Sequence, residues 1–212
     1  MEISNYLRIK KKLPLNVNLI AVSKGFSSID IRNIDNQGQR DFGESKFQEA
    51  IKKQLLLKDL KNVQWHYIGR IQSNKIRKIV QNFEYIHSVD SYEKLIKISN
   101  VSVEEQKNPI IMLQVKFSED PSKGGFNTRE LIGKWDQIKE FKGITIKGLM
   151  TINPKGLSSS ENFKLFKKCR HLADSFKLDD CSMGMSGDWE EAVEAGSTWL
   201  RLGSIIFGNR IY

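Results

Sequence analysis

Short apolar runs alternate with amphipathic stretches along the whole chain. Runs over residues 17–24, 40–44, 63–69, 85–90, 109–117, 144–152, 181–186 and 198–203 read as strands. Between them, "FQEAIKKQLLL" and "TRELIGKWDQIKEF" repeat apolar residues at spacings of three and four, the signature of an amphipathic helix. "SSSENFKLFKKCRHLADSF" opens on serines suited to capping a helix. Asp188 with Glu191 forms a capping-box-like start to "WEEAVEAG". A short helix is expected before the first strand.

Strand followed by helix, repeated about eight times, predicts parallel strands joined by right-handed crossovers. Eight such units in 212 residues fit an α/β fold consisting of one (β/α)8 TIM barrel. An open doubly wound sheet is the alternative, but no G-x-G-x-x-G follows the first strand. One domain over residues 1–212 is expected, with no linker or low-complexity segment.

Composition narrows the class. Hydrophobic residues make up 39% and charged residues 28%, and no apolar stretch reaches membrane-spanning length. The first fifteen residues lack the apolar core of a signal peptide. Cys169 and Cys181 read as free thiols, which points to a reducing compartment and a cytoplasmic address. No paired zinc-ligand spacing occurs, so no metal is expected. The net charge of +9 raises the question of a nucleic-acid partner. Only "RIKKK" and "KIRK" cluster, however, and a lysine-rich solvated surface accounts for the rest. No zinc finger, basic zipper or aromatic RNA-binding signature appears.

Candidate chemistry converges on strand ends. In a barrel of this class the reacting groups sit at the carboxyl ends of the strands. "LIAVSKGF" places Lys24 there, on the side of Ile20 and Val22. A lysine in apolar surroundings loses hydration, which favours its neutral amine, and a neutral amine condenses with an aldehyde. The same position also suits a lysine that snorkels to solvent. Arg201 falls within the last strand, in step with Trp199 and Gly203. Barrel closure makes the first and last strands neighbours, so Lys24 and Arg201 could face one mouth and together call for an anion. Ser186-Gly187 after strand seven and Gly203-Ser204 after strand eight lead into helices, whose exposed N–H groups bind phosphate. Ordinary caps and turns would look the same at each loop taken alone. An imine-forming amine, a phosphate cradle and an arginine between them fit pyridoxal 5′-phosphate (PLP).

His66 and His87 read as hydrogen-bonded structural histidines or as general bases, and Glu44 as a partner for a cation at the mouth. Met112 and Met150 read as strand core.

"AVSK", "FGES…QEA", "WHYIGRIQSNK", "IHSVDS", "SKGGF", "GLMTI" and "SMGMSGDWEEAVEAGSTWLRLGSIIFG" follow one another in an order that resembles the YggS/PROSC family of PLP-binding homeostasis proteins. The resemblance runs from about residue 15 to Tyr212. It implies a fold-type III barrel like the N-terminal domain of alanine racemase and a role in intracellular PLP homeostasis. By that likeness Lys24 holds the cofactor as an internal aldimine, and Ser186, Gly203 and Ser204 contact its phosphate. Arg201 faces its pyridine nitrogen, and Asn74 lies nearby. Ser45 stands where the family has asparagine, and Gly25-Phe26 replaces the commoner continuation after the lysine. Lys123 matches a loop lysine of the family, though the residue itself reads first as a solvated loop charge.

The chain ends soon after the eighth strand, so a non-catalytic carrier is expected, with PLP and the apo-enzymes that use it as partners; the resemblance implies a monomer. An amino-acid racemase or related enzyme on the same cofactor is the alternative, and a basic nucleic-acid binder a distant one.

Overall fold

The computed structural model describes residues 3–118 and 124–208. Nine strands are present: β1 (Asn18–Val22), β2 (Asp41–Glu44), β3 (Gln64–Tyr67), β4 (Tyr85–Val89), β5 (Ile110–Lys116), β6 (Phe126–Asn127), β7 (Thr145–Met150), β8 (Asp180–Ser182) and β9 (Trp199–Leu202). All pair in parallel. The order β4-β3-β2-β1-β9-β8-β7-β5, with β4 also paired to β5, closes an eight-stranded barrel. Only β6, a two-residue addition beside β5, lies outside the expected count.

The helices are α1 (Ile3–Lys12), α2 (Ser28–Asp35), α3 (Phe47–Leu56), α4 (Ile76–Asn82), α5 (Tyr92–Glu104), α6 (Thr128–Ile138), α7 (Ser159–Ser175), α8 (Trp189–Glu194) and α9 (Ser204–Phe207). A 3-10 turn over Ser73–Lys75 precedes α4. The serine signal ahead of α7 is a full capping box: Glu161 N–H donates to Ser158 Oγ, and Ser158 N–H donates to the Glu161 carboxylate. The expected box at Asp188 does not form. Asp188 stands at the start of α8, but its carboxylate accepts from Met185 N–H at 2.6 Å instead of from the helix. The strand expected over 181–186 is likewise shorter. Gly184 adopts φ +92°, which turns the chain off the barrel, and a Cβ there would lie 2.5 Å from that of Ala192.

Alternation along each strand divides the apolar residues into two sets. Leu19, Ala21, Phe42, Ile111, Leu113, Leu149, Leu200 and Leu202 pack outward against the helices. Ile20, Val22, Met112, Met150 and Trp199 form a separate, smaller cluster that fills the barrel interior. Met112 and Met150 are therefore core, as expected. Glycine at 43 and 148 makes room for close neighbours: a Cβ at Gly43 would stand 2.8 Å from the Ile20 side chain. A Cβ at Gly148 would stand 2.2 Å from the Asp180 carbonyl oxygen, a backbone atom with no means of retreat.

Gly148→Ala should therefore cost roughly 3 kcal/mol or more, or prevent folding. Gly133→Ala, at an exposed position inside α6 with nothing near the added carbon, should raise stability by about 1 kcal/mol. Urea unfolding of the two variants checks both signs.

Candidate functional site

The register of β1 on β9 sets the site. Ile20 pairs with Arg201 and Ala21 with Leu202, so Arg201 points into the barrel beside Ile20. Lys24 follows the end of β1 by two residues and is half-buried. It stands on a turn beyond the carboxyl end of β1, closed by Phe26 N–H donating to Ser23 O at 3.0 Å.

Arg201 is only 4% exposed. Its Nη1 donates to Ser182 O at 2.5 Å and to Ser182 Oγ at 2.8 Å, and its Nη2 donates to Thr151 O at 2.9 Å. These bonds commit three of its five N–H groups to the ends of β7 and β8. Burial pushes its pKa down to about 10, partly opposed by the charge of Asp188. It still carries a fixed positive charge at neutral pH.

The loops after β8 and β9 meet above it. Ile205 N–H, in the first turn of α9, donates to Ser186 Oγ at 3.5 Å. Gly203 precedes that turn and Ser204 begins it. Phe26 from the loop after β1 stacks on Phe207 of α9, centroids 4.8 Å apart, so the Lys24 loop and the α9 turn brace each other. The phenylalanine that departs from the family pattern thus has a packing role.

The remaining candidates lie further round the same rim. Ser45 follows β2, with its backbone carbonyl against Gly69, where a Cβ would come within 2.0 Å. Asn74 is exposed on the 3-10 turn after β3. All seven candidate binding residues therefore stand at the carboxyl end of the barrel. Lys123 and Tyr212 lie outside the described residues. Among the described residues no cluster of histidine, cysteine or acidic side chains could hold a metal ion, and no helix is long and apolar enough to cross a membrane. Cys169 and Cys181 are buried thiols in contact, and Cys181's hydrogen bond and burial raise the Cys169 pKa.

One expectation needs revision and another is met. Glu44 does not face a cation at the mouth. It points outward from β2, fully buried, and accepts from Lys53 Nζ of α3 at 2.6 Å. The histidines, in turn, belong to a continuous chain through the barrel. Asp41 Oδ1 lies 3.0 Å from His66 Nε2, His66 Nδ1 2.9 Å from His87 Nε2, and His87 Nδ1 2.9 Å from Ser182 Oγ, which Arg201 also contacts. Burial lowers the pKa of both histidines, that of His87 most, with His66 and Arg201 adding repulsion.

Neutral imidazoles leave one arrangement of protons. Asp41 can only accept, so His66 Nε2–H donates to it. His87 Nε2–H then donates to His66 Nδ1, and the Ser182 hydroxyl donates to His87 Nδ1. Ser182 Oγ keeps its lone pairs for Arg201. The histidines are structural, and the hydrogen-bonded partner they ultimately orient is the guanidinium. Strand alternation makes this chain traceable in sequence, because residues 41, 66 and 87 all fall on inward positions; Ser182 and Thr151 carry no local signal.

The fold and the site define the class: a (β/α)8 barrel of the alanine racemase N-terminal domain, whose family model matches residues 3–210. The chain belongs to the family of pyridoxal phosphate homeostasis proteins. It is 42% identical to the pyridoxal phosphate homeostasis protein of Synechocystis, over 98% of each chain. PipY of Synechococcus elongatus PCC7942, solved with PLP bound, superposes with a TM-score of 0.94 at 39% identity, covering 97% of this chain and 99% of that one. Alanine racemase from Clostridium difficile 630 shares the fold at a TM-score of 0.79 and 15% identity, over 97% of this chain and 55% of the racemase.

The neutral histidine pair has a pH signature. Unfolded histidines protonate near 6.5 while the buried pair resists, so the unfolded state binds more protons below that pH. Stability present above pH 6.5 should fall as pH drops below it, by about 1 kcal/mol per pH unit for each histidine. Glu44, whose pKa burial raises, acts in the opposite sense and offsets part of this slope. Imidazole ¹⁵N shifts should show Nε2–H neutral tautomers for both residues at pH 6, and an imidazolium at either would contradict the proton arrangement.

Proposed function

We propose that this protein binds PLP and serves intracellular PLP homeostasis, as one barrel domain over residues 1–212 and without a dedicated catalytic turnover. The observation that carries the reading is the convergence of Lys24, the buried Arg201 and the joined Ser186 and α9 loops on one rim. The residues fit the cofactor's three recognisable parts. Lys24 supplies the amine for the aldehyde. Two N–H groups of the Arg201 fork are not used in its bonds to Ser182 and Thr151, and they suit a ring nitrogen's lone pair. Ser186, Gly203 and Ser204 offer a hydroxyl and first-turn N–H groups to a phosphate. Ser45 and Asn74 border the same opening from the β2 and β3 sides.

Bound PLP supplies an electrophilic aldehyde on an electron-withdrawing ring. Beside a fixed arginine cation, protonation of the ring nitrogen is disfavoured, which weakens that withdrawal. The chain's own contribution is to grip, orient and partly desolvate the group. Storage and delivery to apo-enzymes in the cytoplasm by a monomer suit this chemistry. The homeostasis relative, matched over 98% of its length, supports the carrier reading; the racemase, matched over 55% of its length, supports only the fold.

Purified protein mixed with PLP should gain a visible band that borohydride fixes, and peptide mapping should place the adduct on Lys24. Lys24→Ala should lose the band, and an adduct on another side chain would overturn the assignment. Incubation with L- and D-amino acids in D2O should give α-deuterium exchange no faster than free PLP. Faster exchange would make the protein an enzyme.

A further inference from the structure

Behind the Lys24 loop, outside the barrel, lies a buried ion cluster that the reading above does not use. Lys53 of α3, with a side chain only 7% exposed, spends all three ammonium protons. It donates to Ser23 O at 2.7 Å, Glu44 Oε1 at 2.6 Å and Glu49 Oε1 at 2.6 Å. Ser23 Oγ donates to Glu44 Oε1 at 2.7 Å. Glu49 Oε1 accepts in addition from Gly25 N–H at 2.5 Å. Ser23 and Gly25 are the two neighbours of Lys24 in the chain. Gly25 adopts φ +79°, a left-handed turn conformation that glycine reaches without steric cost.

We propose that Glu49 and Lys53 are positioning residues for Lys24: they pin the carbonyl before it and the N–H after it, so that its side chain leaves the turn in one direction. This rests on the reading of Lys24 as the cofactor-holding residue. A buried ion cluster adds little stability compared with apolar packing of the same volume, so its presence here calls for another purpose. Fixing a reacting group's direction is such a purpose, since small misplacements slow reactions by large factors. The α3 geometry agrees. Glu49 lies in the first turn of that helix, but its carboxylate serves the Lys24 loop and Lys53. Burial opposes its ionisation, yet the bonds from Lys53 and Gly25 outweigh burial and hold its pKa below the ordinary value.

The test measures how fast apo-protein and PLP condense. In that step the Lys24 amine nitrogen bonds to the aldehyde carbon and the aldehyde oxygen leaves as water. Borohydride mapping of the wild type comes first. An adduct elsewhere than Lys24 removes the underlying reading and this inference with it. With the adduct on Lys24, Glu49→Ala should slow condensation roughly tenfold or more in stopped-flow absorbance. Its thermal midpoint should stay close to wild type, because Glu49 is partly exposed and the Lys53–Glu44 pair remains. Glu49→Gln, which keeps an oxygen for Gly25 N–H, should recover most of the rate. The double change Lys53→Met with Glu44→Gln, which leaves the partly exposed Glu49 as the cluster's remaining carboxylate, should slow condensation similarly. Wild-type rates in Glu49→Ala, or equal slowing in Glu49→Gln, would overturn the proposal.

Discussion

The parallel pairing of β1 with β9 is the constraint on which the rest depends. Asn18 through Ala21 align with Trp199 through Leu202, and Asn18 N–H donates to Thr198 O at 2.8 Å. Residues 23–198 of the chain separate these strands. Joining them closes the sheet, removes its edges and brings a lysine and an arginine from opposite ends of the sequence to one opening. A one-residue slip would turn Arg201 out of the barrel and into the apolar layer beneath the helices.

Burying Arg201 carries a desolvation penalty, visible in a pKa pushed down to about 10. Three hydrogen bonds to protein oxygens offset part of it, and the aligned chain through Ser182, His87 and His66 to Asp41 keeps one of those oxygens oriented. The interior is thus a polar column set among a few apolar side chains, with its cation near the open rim. Outside the barrel the Lys53 cluster plays a comparable part for the loop that carries Lys24. Two buried polar assemblies thus flank β1: one inside the barrel bonded to Arg201, one outside bonded to the backbone on either side of Lys24.

Much of this could be read from residue order. Eight apolar runs announced the barrel, and a lysine just past the first of them marked the rim. Parity with Trp199 put Arg201 inside, and serines and glycines after the last two strands marked the loops that meet above it. The partners of Arg201 were not readable, because Thr151 lies fifty residues away and acts through its backbone. Glu44 was placed at the mouth because its strand end is there, but alternation with Phe42 sends it outward. Lys53 did leave a trace: it falls in step with Ala50 and Leu57 on the buried face of its helix, where a lysine needs a partner. The two-residue β6 is too short to carry any periodic signal.

The central claim is that barrel closure sets a buried guanidinium against the ring nitrogen of PLP held by Lys24. The ¹⁵N shift of ring-labelled PLP bound to the protein tests it most directly. The account predicts an unprotonated nitrogen accepting a hydrogen bond at neutral pH, with the signal altered by Arg201→Glu. A pyridinium nitrogen, or a shift indifferent to that substitution, would contradict it.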